Sequence, residues 1–298
     1  MSEFKEWKQL KQASKWLIFT ENIGKQLSID EVALSQGELY TVVTNKKAKG
    51  RAGSIVAIIA GTKSDEVIKY LQKIPEGKRR KVEEITLDMA GSMKLISKVC
   101  FPRAVQVIDR FHVQQLANEA VQELRIKYRW QALDEENDAL KRAKENSSSY
   151  QPEIFSNGDT LKQLLARSRH LLYKSSEKWT STQKERATIL FREYPKIEEA
   201  YQLTNQLRSI YNHCNVKNIA MTRLAQWYNA VENTDFKSFR TVMNTVSLNY
   251  QGILNYFDNR STNASAESFN AKIKAFRSQL RGVRNKEFFL FRLTQIYA

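Results

Sequence analysis

At 298 residues with 42% hydrophobic content, the chain is long enough to bury one large core or two smaller ones, which excludes a disordered native state. Its 48 Lys and Arg against 32 Asp and Glu leave +16 at neutral pH, a balance that calls for a polyanionic partner, foremost nucleic acid. No apolar stretch approaches the roughly 20 residues that span a bilayer, and the opening MSEFKEWKQLKQ lacks the apolar core of a signal peptide, so a cytoplasmic protein is expected. The two cysteines, Cys100 and Cys214, make neither a disulfide framework nor a zinc pattern and read as buried small hydrophobes.

Residues 1–25 place Phe4, Trp7, Trp16 and Phe19 on a polar background and are expected to form an N-terminal helical segment. From Gln26 the pattern turns short and β-like: LSIDEVAL, ELYTVVTN and GSIVAIIAG, bounded by Gly, Asn or Lys-rich turns, predict an antiparallel meander. A helix over Lys63–Ile74, a basic loop at Lys78–Lys81, the strand EEITLDM, a helix over Gly91–Val99 and the strand AVQVI follow, ending at Asp109. The order β-β-β-α-β-α-β predicts an α/β domain with a mixed five-stranded sheet and helices on its faces.

From Arg110 to about Asn259 helical periodicity dominates, which predicts a large all-α insertion over 110–259. Within it Thr182 and Glu185 have capping-box spacing, Ser147–Asp159 reads as loop, Asp134–Lys144 as a solvated helix face, and Asn218–Val231 and Phe236–Phe257 as the closing helices. The last segment, 260–298, returns to the first domain. Ala266, Phe269, Ile273, Phe276 and Leu280 form one apolar helical stripe, and Asn263, Glu267, Asn270 and Lys274 line a second face at the same spacing.

Asp30 and Asp88 each end an apolar run, and Glu267 opens the amphipathic helix. Two strand-end aspartates joined by a helix glutamate make an oxygen-rich pocket suited to two hard divalent ions, Mg²⁺ or Mn²⁺. The bland alternative for either aspartate is a turn former or helix cap. Asp109 divides similarly between capping the helix that starts at Phe111 and supporting the site, and His112 between a hydrogen bond to a metal-bound carboxylate and simple packing. Glu31 points to the other strand face and reads as structural. Lys46, Lys47, Lys49, Arg51, Lys78, Arg79, Arg80 and Lys81, with Lys272, Lys274, Arg277, Arg281 and Arg284 of the last helix, are expected to meet DNA phosphates. The five tryptophans are scattered and read as packing.

The element order resembles the RNase H-like fold of DDE transposases and retroviral integrases. The strings LSIDEVALSQGELYTVV, ITLDMAGSM, VQVIDRFHV and STNASAESFNAKIKAFRSQLRGVRN resemble the insertion-sequence transposases of the ISL-three class. The resemblance implies that Asp30, Asp88 and Glu267 are a metal-binding DDE triad, that Asp109, Arg110, Phe111 and His112 form a neighbouring signature, and that the reaction is metal-dependent cleavage and strand transfer of an insertion sequence. It also implies DNA as partner, both element ends and target, and a homo-oligomer on that DNA. Members of the class commonly carry an upstream cysteine-rich zinc region and a helix-turn-helix, whose motifs do not occur in this sequence; recognition of element ends by a separate protein is therefore expected. The alternatives are a catalytically idle DNA-binding remnant, half of a split transposase, or a structure-selective nuclease without strand transfer.

Overall fold

A computed structural model describes residues 2–34, 37–280 and 285–298. Six strands, β1 (Trp16–Ile18), β2 (Gln26–Ala33), β3 (Leu39–Asn45), β4 (Ile55–Ala60), β5 (Glu84–Leu87) and β6 (Val105–Ile108), make one sheet in the order β1-β4-β3-β2-β5-β6. The short links between β2, β3 and β4 allow only antiparallel pairing. β5 and β6 run parallel to β2 because helices carry the chain back each time: α2 (Ser64–Leu71) and α3 (Glu76–Arg79) before β5, and α4 (Gly91–Cys100) before β6. β4 and β5 bury nearly every residue, as strands covered on both faces must.

The sheet corrects the expected five strands to six. The extra strand, β1, lies in the segment expected to be helical, where the helix among the described residues is limited to α1 (Ser2–Lys5) and two single 3-10 turns. Leu17 is fully buried and pairs opposite Ile58 of β4, so burial against the sheet edge outweighs the helical propensity of the surrounding polar residues.

The long helix α5 (Arg110–Glu145) follows β6. After it come α6 (Leu161–Arg167), α7 (Arg169–Leu172), α8 (Ser181–Glu193), α9 (Pro195–His213), α10 (Lys217–Glu232), α11 (Lys237–Leu248), α12 (Tyr250–Asn259), α13 (Ala264–Gln279) and α14 (Lys286–Tyr297). The chain divides into two compact units, one of residues 1–112 with 249–298 and the other of residues 113–248. In the second, the β content among the described residues is a single bridge, Ile154 to Thr160. The capping box ahead of α8 is Thr180 with Gln183, not Thr182 with Glu185, and another, Thr160 with Gln163, opens α6.

The boundary at 259 is also corrected. Asn249 interrupts the expected helix over Phe236–Phe257, and its second half, α12, belongs to the first unit. Asn255 Nδ2 donates to the Gln106 carbonyl of β6 at 2.9 Å, and a Cβ on Gly252 would stand 2.8 Å from Ile108 Cγ1. Glycine in a helix interior costs about 1 kcal/mol relative to alanine, and here it permits the close approach. Gly252→Ala is expected to destabilise the protein, by about 1–3 kcal/mol of overpacking less the propensity gained; a thermal midpoint that rises instead would show that α12 is free to stand off.

α13 and α14 close one face of the sheet. Phe269 and Ile273 of α13, with Phe289, Leu290 and Leu293 of α14, pack on Val32, Tyr40, Val42 and Ile58, and Phe276 and Leu280 lie partly buried at the rim. The expected apolar stripe is therefore what docks the last helices, and its docking decides where Glu267 stands.

Candidate active site

Register brings the aspartates together. Ser28 of β2 pairs opposite Thr86 of β5, and Leu87 of β5 opposite Ile108 of β6. Continued by one or two residues, these parallel registers set Asp30, Asp88 and Asp109 level on three adjacent strands and on one face. Asp88 Oδ1 accepts from the Ala90 amide at 2.9 Å ahead of α4, and Asp109 Oδ1 from the Phe111 amide at 3.1 Å ahead of α5. Both residues therefore do the turn-forming work that any strand-end aspartate does; the remaining question is what their other surroundings add.

α13 supplies the addition. The Asn263 amide donates to Asp109 Oδ2 at 2.9 Å, and Asn270 Nδ2 donates to Asp30 Oδ2 at 2.6 Å. Seven helical residues advance about 10.5 Å, and β2 and β6 lie two strand spacings, about 9.6 Å, apart; two turns of helix thus bridge the strands that carry the outer aspartates. Glu267 sits between the two anchor points, its own amide bonded to the Asn263 carbonyl at 2.8 Å.

The carboxyl groups feel one another. Burial pushes the Asp30 pKa up and Asp88 adds to it, while the Glu31 amide, His112 and Asn270 pull the other way. Burial likewise raises Glu267, with Asp109 and Asp30 adding and His112 opposing. Glu31 is raised by burial, then by Asp88 and Asp30. His112 thus stands within electrostatic reach of both Asp30 and Glu267.

The raised groups carry a sign. A folded carboxyl whose pKa exceeds its unfolded value holds its proton longer, so its contribution to stability is full below the unfolded pKa and is lost as pH rises through the folded one. Without divalent ions, Asp30→Asn and Glu267→Gln are expected to raise the thermal midpoint at neutral pH and to flatten its fall between weakly acidic and neutral pH. Melts in chelator at two pH values check this; a lowered midpoint at neutral pH in both variants would contradict it.

Buried polar atoms extend the acidic cluster. Asn263 is 1% exposed, yet neither its Oδ1 nor its Nδ2 has a hydrogen-bond partner among the described residues, and Asn270 Oδ1 is equally unpartnered. Each such atom costs about 1–3 kcal/mol, a cost that makes sense where a hydrated cation or a substrate group supplies the partner. Carboxylates with amide oxygens beside them are the donor set that Mg²⁺ and Mn²⁺ prefer. The donor chemistry fits; the spacing is looser, for among the described residues no group of three or more His, Cys, Asp or Glu side chains could hold an ion as it stands. Side-chain rotation would have to close the site.

The basic residues divide. Lys47, Lys49, Arg51, Arg80, Lys81, Lys272 and Lys274 are exposed, with Arg80 paired to Glu76 and Lys272 Nζ donating to the Gly50 carbonyl. Others expected at DNA are spent inside the protein. Lys46 Nζ donates to Thr86 Oγ1 at 2.7 Å and lies 3.5 Å from Glu84, and burial lowers its pKa against the pull of Glu84 and Asp109. Lys78 is bound to Thr20, and Arg79 to the carbonyls of Ile74 and Cys100. Arg277 is buried, forked onto Glu38 at 3.0 and 3.1 Å and stacked 5.0 Å over Phe289. Arg281 and Arg284 lie outside the described residues. Glu84, which holds both Lys46 and the Asn259 amide, was missed because nothing in its sequence surroundings marks it as buried.

Residues 27–293 match the ISL3-class DDE transposase family, described as "Transposase", and the chain belongs to that family. One relative is the transposase for insertion sequence element IS1001 of Bordetella parapertussis, 20% identical over 271 residues. The match takes in 90% of this chain but 59% of the relative's length. No solved structure matches. No helix among the described residues is long and apolar enough to cross a membrane.

Proposed function

We propose that this chain carries the catalytic centre of an insertion-sequence transposase, with Asp30, Asp88 and Glu267 as the ligands of two Mg²⁺ or Mn²⁺ ions. The observation that carries the reading is that Asp30 of β2 lies within electrostatic reach both of Asp88, which follows β5, and of Glu267 of α13, in a chain of a transposase family. The strand order supports an RNase H-like core: a three-stranded antiparallel meander continued by two parallel strands, with β1 as an added edge. Bound ions would activate water or a 3′-hydroxyl and stabilise the leaving oxygen. Of the protein's own groups, Asn270 orients Asp30, Asp109 pins the start of α13 and so the height of Glu267, and His112 tempers the acidic field. Neither a nucleophilic side chain nor a covalent intermediate is required.

DNA is the substrate in this reading, as element ends and as target, with a homo-oligomer assembled on it and a separate protein contributing end recognition. The test is cleavage of DNA bearing the element's own ends. Cutting that leaves 3′-hydroxyls, proceeds with Mg²⁺ or Mn²⁺, and stops with Ca²⁺ or chelator is expected, followed by joining to a target duplex. Cutting that persists in chelator would overturn it, and cutting without joining would favour the nuclease alternative.

A further inference from the structure

At the ends of β2, β5 and β6 remote from the aspartates, the first unit holds an open groove of about 1760 Å³. Its walls come from four separate stretches: the turn leading into β2, the β3–β4 turn, the stretch from Lys78 at the end of α3 to Glu83 with Arg103 beyond it, and the α12–α13 connection through Ser265. Nine lining residues are Lys or Arg and two are Glu. Several of these cations are committed, Lys25 to Glu83 and Lys46 to Glu84 among them. Lys47, Lys49, Lys81 and Arg103 are exposed and have no ion pair among the described residues. The volume exceeds the roughly 300–1,000 Å³ of small-molecule pockets, and unneutralised charge of one sign spread over separate loops suits an extended polyanion.

Position gives this groove a task different from that of the carboxylates. Gln26 lines it and Asp30 lies four residues farther along the same strand, which is about 13 Å at 3.3 Å per residue, or roughly four base pairs of duplex axis. The residues bordering the groove at Thr262, Ala264 and Ser265 are also those that lead directly to Glu267. A single duplex can therefore pass from one to the other.

We propose that this groove binds the sugar-phosphate backbone of the DNA flanking the cut site, about four base pairs or more from the scissile phosphate, as an anchor distinct from the catalytic carboxylates. The inference rests on the transposase reading above. Its test is a salt titration of duplex binding by the chain with K47Q, K81Q and R103Q combined. These side chains are exposed, and a thermal melt confirms that the fold is kept. Removing three phosphate contacts should make the slope of log affinity against log salt shallower by about 2.7. A control with K8Q, K11Q and K69Q, exposed lysines outside the groove, should keep the original slope. An unchanged slope in the groove variant, or an equal loss in the control, would overturn the proposal. Failure of the wild type to cut any DNA would instead strike the catalytic reading, while the binding slopes would still report on the groove.

Discussion

Alanine at Asp30, Asp88 or Glu267 is expected to lower metal-dependent DNA cleavage by at least about a thousandfold, the equivalent of roughly 4 kcal/mol of lost transition-state stabilisation. Duplex affinity should change little, because the exposed lysines and arginines that would meet phosphate lie elsewhere. Stability separates this account from the bland one. Asp88 caps the turn before α4 through the Ala90 amide, so Asp88→Ala costs about 1 kcal/mol on either account. Asp88→Asn keeps a capping oxygen of similar strength and removes the charge. If Asp88 only forms a turn, the asparagine variant cuts DNA normally; if it is a ligand, that variant is as inactive as the alanine one. Full activity in any of the three alanine variants would remove that residue from the site.

Arg277→Ala should be the most destabilising single change on the last helices. The Arg277 side chain is 6% exposed and that of Glu38 1%, and truncation would leave a buried carboxylate with Lys286, at 3.8 Å, as its remaining cation among the described residues. Breaking a buried pair on one side costs about 3–5 kcal/mol, and a domain of this size loses roughly 2–4 °C per kcal/mol, so a fall on the order of 10 °C is expected in a thermal melt. Replacing both partners, as E38L with R277M, should recover much of the loss because no charge is left unpaired. A midpoint unchanged by Arg277→Ala would mean that this contact is not made in solution, and Arg277 would return to the set of residues free to meet DNA.

The parts of the fold that were legible in the sequence are those in which burial leaves a period. The meander and the strands leading to Asp88 and Asp109 show as apolar runs, and the α13 stripe shows as 3 and 4 residue spacing. β1 was not legible, since three residues are too short to display alternation, and neither was the break at Asn249, which carries no glycine or proline. Asp88 and Asp109 stood out because each follows the last residue of a strand's apolar run, whereas Asp30, expected at a strand end, lies inside β2 with three paired residues beyond it. The roles of cations were not legible: a lysine in a Lys-rich turn looks the same whether it faces solvent, like Lys47, or turns under the sheet, like Lys46. Asn263 and Asn270 were expected on the face of Glu267, and their bonds to Asp109 and Asp30 depend on a match between two helical turns and two strand spacings that only the packed structure reveals.

The central claim is that Asp30, Asp88 and Glu267 act together as one divalent-metal site, and Mn²⁺ binding followed by electron paramagnetic resonance on the DNA-bound chain tests it most directly. The account predicts two Mn²⁺ per chain, reduced in Asp30→Asn and in Glu267→Gln and absent when the two are combined, with DNA still bound. Equal Mn²⁺ occupancy and affinity in the wild type and the combined variant would contradict it.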